Sequence, residues 1–232
     1  MEEILNLLNK NFNPISIFLY GSRARTDFTK RSDFEVGILF SKENYVGRRE
    51  IKKIVNEKGF SIYPFEYENF LNGVIDTPFQ KKIYLRELIL SGKTVSGKKV
   101  IEKMKPPQIS RIDLIQDLRF NLGYAFASMH SNRNGDKKTA SYEFYKSCLF
   151  ATRDLEILKL MVFPITFDEI LNLSKRINLG EYQKLVEKTF NARKGEADYE
   201  EQDIFKNISY LNEFIEPILL ESFEKNGNLV LM

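Results

Sequence analysis

The chain has 232 residues, with 35 Lys plus Arg against 32 Asp plus Glu and a net charge of +3. This length allows one large domain or two small ones, each with its own core, and the charge is nearly balanced with nothing to suggest a dominant basic stripe, so a nucleic-acid partner is not required. One cysteine, Cys148, excludes an internal disulfide, and one histidine, His130, excludes a zinc site built on histidines. The start, Met1-Glu2-Glu3-Ile4, is acidic where a signal peptide is basic. The apolar run 155–163 is too short to span a bilayer and contains Lys159. These features predict a cytoplasmic protein with no membrane partner.

In chain order, Ile4, Leu5, Leu7 and Leu8 have helical spacing up to about Asn11, and Asn13-Pro14 breaks that helix. Residues 15–20 are β-formers and predict a buried strand, closed by Gly21-Ser22, with a short helix opening over 22–26. Residues 33–40 predict a second strand. A polar helix follows over about 46–58, then a third strand over 60–67, in which Pro64 argues for an edge position. Residues 81–91 predict a helix stopped by Gly92, and Thr94-Val95 a last short strand. Lys105-Pro106-Pro107 is the best boundary, since two prolines cannot continue a helix.

Beyond it the pattern is helical throughout. Ser110 with Asp113 predicts a capped helix whose face carries Ile115, Leu118, Leu122, Ala125, Phe126 and Met129. A polar loop over 131–139 leads to a second long helix over about 140–162, stopped by Pro164. Thr166 with Glu169 has capping-box spacing for a third. Further helices are expected over 181–191 and, with a kink at Pro217, over 199–224; a polar loop over 191–197 separates them. The tail 226–232 ends on an apolar run that docks or frays. The fold class expected is α+β: a small mixed β-sheet with helices over 1–105, then an all-α bundle over 108–232.

The chemistry concentrates between residues 21 and 35. Asp33 and Glu35 stand two apart on a predicted strand, so both carboxylates point to one face. Their repulsion is relieved by a divalent ion, and oxygen ligands suit Mg²⁺. Gly21 permits a tight turn and close approach of a ligand. Ser22 offers a hydroxyl and a backbone N–H at a helix start, a cradle for phosphate. Arg23, Arg25, Lys30 and Arg31 add positive charge nearby.

Gly21-Ser22-Arg23-Ala24-Arg25, then Ser32-Asp33-Phe34-Glu35 opening the apolar run 36–40, resembles the signature of the DNA polymerase β-like nucleotidyltransferase superfamily, in the branch that includes minimal and kanamycin-type enzymes. Residues 23–32 separate Ser22 from Asp33, the family spacing, and residues 88–97 look like the end of such a domain. The resemblance implies Mg²⁺ (or Mn²⁺) on Asp33 and Glu35 and a nucleoside triphosphate, ATP as first choice, on Gly21, Ser22, Arg23 and Arg25. The acceptor would be a hydroxyl of a small aminoglycoside-like molecule or of a protein. A homodimer is a further option it implies. Thr26 replaces the usual glycine, and Glu35 the usual second aspartate, lengthening that arm by one CH₂. The family's third carboxylate lies on a later strand. Glu66 is the candidate for this catalytic role, ahead of Glu68.

The helical half resembles the substrate-binding bundles attached to these transferases, related to the HEPN group. His130 lacks an arginine at the spacing of the ribonuclease members, which argues against that activity. Glu143, Asp154 and Glu156 are alternatives for a general base from this half. Competing readings are a catalytically decayed nucleotide- or partner-binding module and an antitoxin-like partner. Among bland readings, Ser22 caps a helix, one of Arg23 and Arg25 only pairs with a nearby aspartate, Cys148 is core, and His130 is a helix-end residue.

Overall fold

The structure is a computed structural model that describes residues 1–30, 32–196, 198–226 and 230–231. Arg31, counted above as nearby positive charge, lies outside the described residues, as do Ala197 and, in the tail, Gly227, Asn228, Leu229 and Met232. The chain divides into two compact units, Met1–Pro107 and Gln108–Met232. No helix among the described residues is long and apolar enough to cross a membrane.

The first unit begins with α1 (Glu2–Phe12), β1 (Ser16–Tyr20), the single turn α2 (Gly21–Arg25) and β2 (Phe34–Phe40). It continues with α3 (Arg48–Ile54), β3 (Phe60–Glu66), α4 (Tyr67–Leu71), α5 (Lys81–Ser91) and β4 (Lys93–Gly97). The strands form one mixed sheet in the order β3-β2-β1-β4; β1 is antiparallel to both its neighbours and β2 runs parallel to β3. Pro64 is tolerated because β3 is an edge strand, where one side of the backbone needs no ladder donor. The polar helix expected over 46–58 is shorter than its periodicity implied.

Alternation along the strands sorts side chains onto two cores. Val36, Ile38 and Phe40 of β2, with Ile17 and Ile62, pack on Ile4 and Leu8 of α1 and Ile51 of α3. Leu39 of β2, with Phe18, Tyr20 and Phe65, packs on Phe70 of α4 and Leu85, Leu88 and Ile89 of α5. Gly37 belongs to this second face, where the Phe18 ring covers it so closely that a Cβ would stand 2.1 Å from a ring carbon. The odd-numbered residues of β2 and of β3 therefore share one face, and Glu35 and Ser61 lie on it.

The second unit holds a two-stranded ribbon of β5 (Ile109–Ser110) and β6 (Val230–Leu231), so part of the tail docks. Its helices are α6 (Arg111–Arg133), α7 (Lys137–Leu160), α8 (Phe167–Ser174), α9 (Gln183–Lys194), α10 (Glu201–Ser209) and α11 (Glu216–Asn226). Both capping boxes form: Ser110 with Asp113, and Thr166 with Glu169. Residues 191–194, expected in a loop, continue α9. Helix α7 ends before Pro164, at Met161 in the left-handed region. The kink expected at Pro217 takes the form of a widened π-helical stretch over Tyr210–Ile215. Proline at 217 donates no N–H and crowds the carbonyl four residues back, Glu213, which falls inside that stretch.

Candidate active site

Gly21 ends β1 with a φ of +70°, a left-handed conformation that glycine adopts without a Cβ penalty. A Cβ built on it would stand 1.7 Å from Glu35 Oε2. The Glu35 carboxylate thus lies directly over the glycine and occupies the volume a side chain there would need. The strand register explains this, since Tyr20 is the antiparallel partner of Glu35 and Gly21 follows it. Asp33 precedes β2 by one residue and is exposed, while Glu35 is half-buried. The parallel partner of Glu35 on β3 is Ser61, whose hydroxyl donates to Asp33 Oδ2 at 3.3 Å. Two carboxylates therefore converge on the same end of the sheet, against a side-chain-free turn.

Residues 2–94 match the family model described as polymerase beta, nucleotidyltransferase. The N-terminal segment is a polymerase β-type nucleotidyltransferase domain. Among solved structures, the fold is similar to that of spectinomycin adenyltransferase AAD(9) from Enterococcus faecialis, crystallised with ATP and spectinomycin. The identity is 14% and the TM-score 0.59, over 92% of this chain and 98% of that one, a likeness of fold. A search of curated proteins returns no match.

Within the nucleotidyltransferase domain the donor set fits a hard divalent cation: two carboxylates from one strand end, one of them lying against the bare Cα of Gly21. The described residues hold no group of three or more His, Cys, Asp or Glu able to take a metal together.

Ser22 is half-buried at the first turn of α2, where its N–H is one of the helix's unpaired donors. The two arginines are otherwise engaged. Arg23 donates from Nε and Nη2 to the Ser32 carbonyl, at 3.1 and 3.0 Å, and its guanidinium stacks on Phe28 and Phe34. It fastens the loop between α2 and β2. Arg25 pairs with Glu87 of α5 and with Asp27 at 3.4 Å, its side chain only 5% exposed. Both guanidiniums thus have partners within the protein, Arg23 in the motif's own loop and Arg25 in a buried ion pair.

Glu66 does not join the acid pair. Because β2 and β3 are parallel, the residue beside Glu35 is Ser61, and Glu66 pairs with Phe40 at the other end of the strand. Five residues of strand put it roughly 16 Å away, and alternation turns it to the opposite face, with Ile62. Glu66 caps α4, accepting from the Glu68 N–H at 2.9 Å, and lines a cavity of about 520 Å³ together with Lys42, Tyr45 and Asp76.

Beneath Glu35 lies a pair of phenols absent from the sequence reading. Tyr20 and Tyr84 share a 3.0 Å hydrogen bond. Burial, then the Tyr84 phenol and the Glu35 carboxylate, hold the Tyr20 hydroxyl well above its ordinary value, so it stays neutral. Glu35 thus rests on an uncharged, aromatic floor.

In the helical unit, Asp154 and Glu156 are fully buried on α7. Burial and the neighbouring Asp117 push Asp154 up, and burial pushes Glu156 up to about 9. Both side chains are shielded from solvent in the interior of the helical unit. Glu143 is half-buried and accepts from the Ser131 hydroxyl at 2.8 Å. Cys148 is buried, as expected of a core thiol, and the His130 ring bonds Asn134 at the end of α6.

Proposed function

We propose that the protein is a metal-dependent nucleotidyltransferase that moves a nucleoside monophosphate from ATP, or another triphosphate, to a hydroxyl of an aminoglycoside-like small molecule or of a protein. The observation that carries this reading is the Glu35 carboxylate lying over Gly21 beside Asp33. Asp33 and Glu35 would hold the Mg²⁺ or Mn²⁺ ion, which when bound neutralises charge gathering on the phosphates. The Gly21-Ser22 turn presents backbone N–H groups and the Ser22 hydroxyl to the phosphates, and the absence of a Cβ at 21 lets the Glu35 carboxylate lie against that same turn. The acceptor hydroxyl attacks the α-phosphorus in line and pyrophosphate leaves. Likeness to an adenyltransferase crystallised with ATP and spectinomycin supports ATP and a small polyhydroxylated acceptor as first choices.

A second reading, a nucleotide-binding module without turnover, is favoured by Glu35 in place of aspartate and by Ser61 at the neighbouring β3 position. Incubation with α-labelled ATP, Mg²⁺ and a panel of aminoglycosides, spectinomycin among them, separates the two. Transfer of label to an acceptor, reduced on the order of a hundredfold in Asp33→Ala, supports the transferase. Tight, Asp33-dependent nucleotide binding with no label on any acceptor or on the protein itself establishes the module.

A further inference from the structure

We infer that this site takes a single divalent ion per nucleotide, because a serine, Ser61, fills the β3 position directly beside the acid pair. The inference rests on the reading of Asp33 and Glu35 as metal ligands and concerns how many ions they support.

Three observations converge on position 61. Ser61 is the parallel neighbour of Glu35, so a side chain there stands alongside the acid pair. Its parity puts it on the face shared by Glu35, Tyr63 and Phe65, whereas Glu66 belongs to the opposite face. Its hydroxyl touches the pair already, donating to Asp33 Oδ2 at 3.3 Å. In the resembled family the third carboxylate comes from a later strand, and here the strand beside the acid pair offers a neutral donor. Glu68 stands on α4, still further along the chain than Glu66.

Charge and ligand count give the consequence. Two metal ions in a transfer site sit about 3.5–4 Å apart, so carboxylates must offset strong mutual repulsion. Asp33 and Glu35 supply two negative charges, enough with triphosphate oxygens and water to complete one octahedral shell. Ser61 adds no charge, and by donating to Asp33 it occupies one of that carboxylate's acceptor sites instead of adding a ligand. Asp33 and Glu35 would hold one ion, and no carboxylate at position 61 would be there to hold a second.

The test counts ions directly. Full-length protein is loaded with Mn²⁺ and a non-hydrolysable α,β-methylene ATP, and bound Mn²⁺ is compared with bound nucleotide by electron paramagnetic resonance and absorbance. One Mn²⁺ per nucleotide is expected for the wild type and for Ser61→Ala, and two for Ser61→Asp. Two in the wild type overturn the inference. So does loss of the ion in Ser61→Ala, which would make the hydroxyl itself a ligand, and so does a count of one in a folded Ser61→Asp protein. Ser61→Glu serves if circular dichroism finds Ser61→Asp unfolded. Absence of any nucleotide-dependent Mn²⁺ in the wild type is a different failure, since it removes the reading of Asp33 and Glu35 on which the inference stands.

Discussion

Gly21 is the residue at which backbone, carboxylate and ligand compete for one volume. Gly21→Ala must keep a φ of +70°, at about 1–2 kcal/mol for a residue with a Cβ, and its methyl would overlap Glu35 Oε2. The overlapped atom ends a flexible side chain, so the expected result is a folded protein with Glu35 displaced. Affinity for MgATP should fall at least about tenfold, equivalent to 1.4 kcal/mol, measured by titration calorimetry with circular dichroism as control. Unchanged affinity would mean that Glu35 is not a metal ligand. Arg25 gives the opposite signature. Arg25→Gln leaves Asp27 and Glu87 without their cation, and breaking a buried pair costs on the order of 3–5 kcal/mol. The urea midpoint should drop sharply. A variant of native stability that has lost nucleotide binding would return Arg25 to the phosphates.

At the scale of elements, α7 carries the strongest electrostatic tension. Arg153 pairs with Asp117 of α6 at 3.5 Å and stacks on Phe150, and its charge only partly offsets the burial of Asp154 and Glu156. Burial raises the proton affinity of both in the fold. An acid whose folded pKa is raised binds its proton more tightly folded than unfolded, so its stabilisation is complete below about 4.5 and is lost as pH climbs towards about 9. Urea denaturation at pH 5.5 and 8.5 should therefore differ, with the alkaline value lower by on the order of a few kcal/mol. Glu156→Gln should remove its share of that slope and leave the part due to Asp154. An unchanged slope would clear Glu156. The elements themselves were largely legible from sequence, because caps and breakers act locally: Ser110 with Asp113, Thr166 with Glu169 and the residues around Gly92 all behave as their spacing predicts. What was hidden depends on pairing across the chain. The parallel register that sets Ser61 beside Glu35, and sends Glu66 to the far end, arises between strands joined through α3. The partner that Arg25 finds, Glu87, lies 62 residues away on α5. Residue type marked the charged groups, but only tertiary contact decides which of them remain available to a ligand.

For the whole molecule, the nucleotide site and the stability of the chain are linked by mass action. Anything that binds the native state and not the unfolded chain stabilises it by RT ln(1 + [L]/Kd), about 2.7 kcal/mol when ligand exceeds Kd a hundredfold. MgATP should therefore raise the melting temperature of the full chain. ATP with EDTA should leave it near the unliganded value, because the triphosphate then meets Asp33 and Glu35 with no cation between them, and like charges oppose binding. In Asp33→Ala the logic changes sign for the two conditions. Removing one carboxylate weakens the hold on the ion but also lessens repulsion towards metal-free ATP, so the gap between MgATP and ATP with EDTA should shrink from both sides. Differential scanning calorimetry of the wild type and Asp33→Ala under both conditions measures that gap. A gap of equal size in the two proteins would mean that the ion travels with the triphosphate alone and that the acid pair does not hold it.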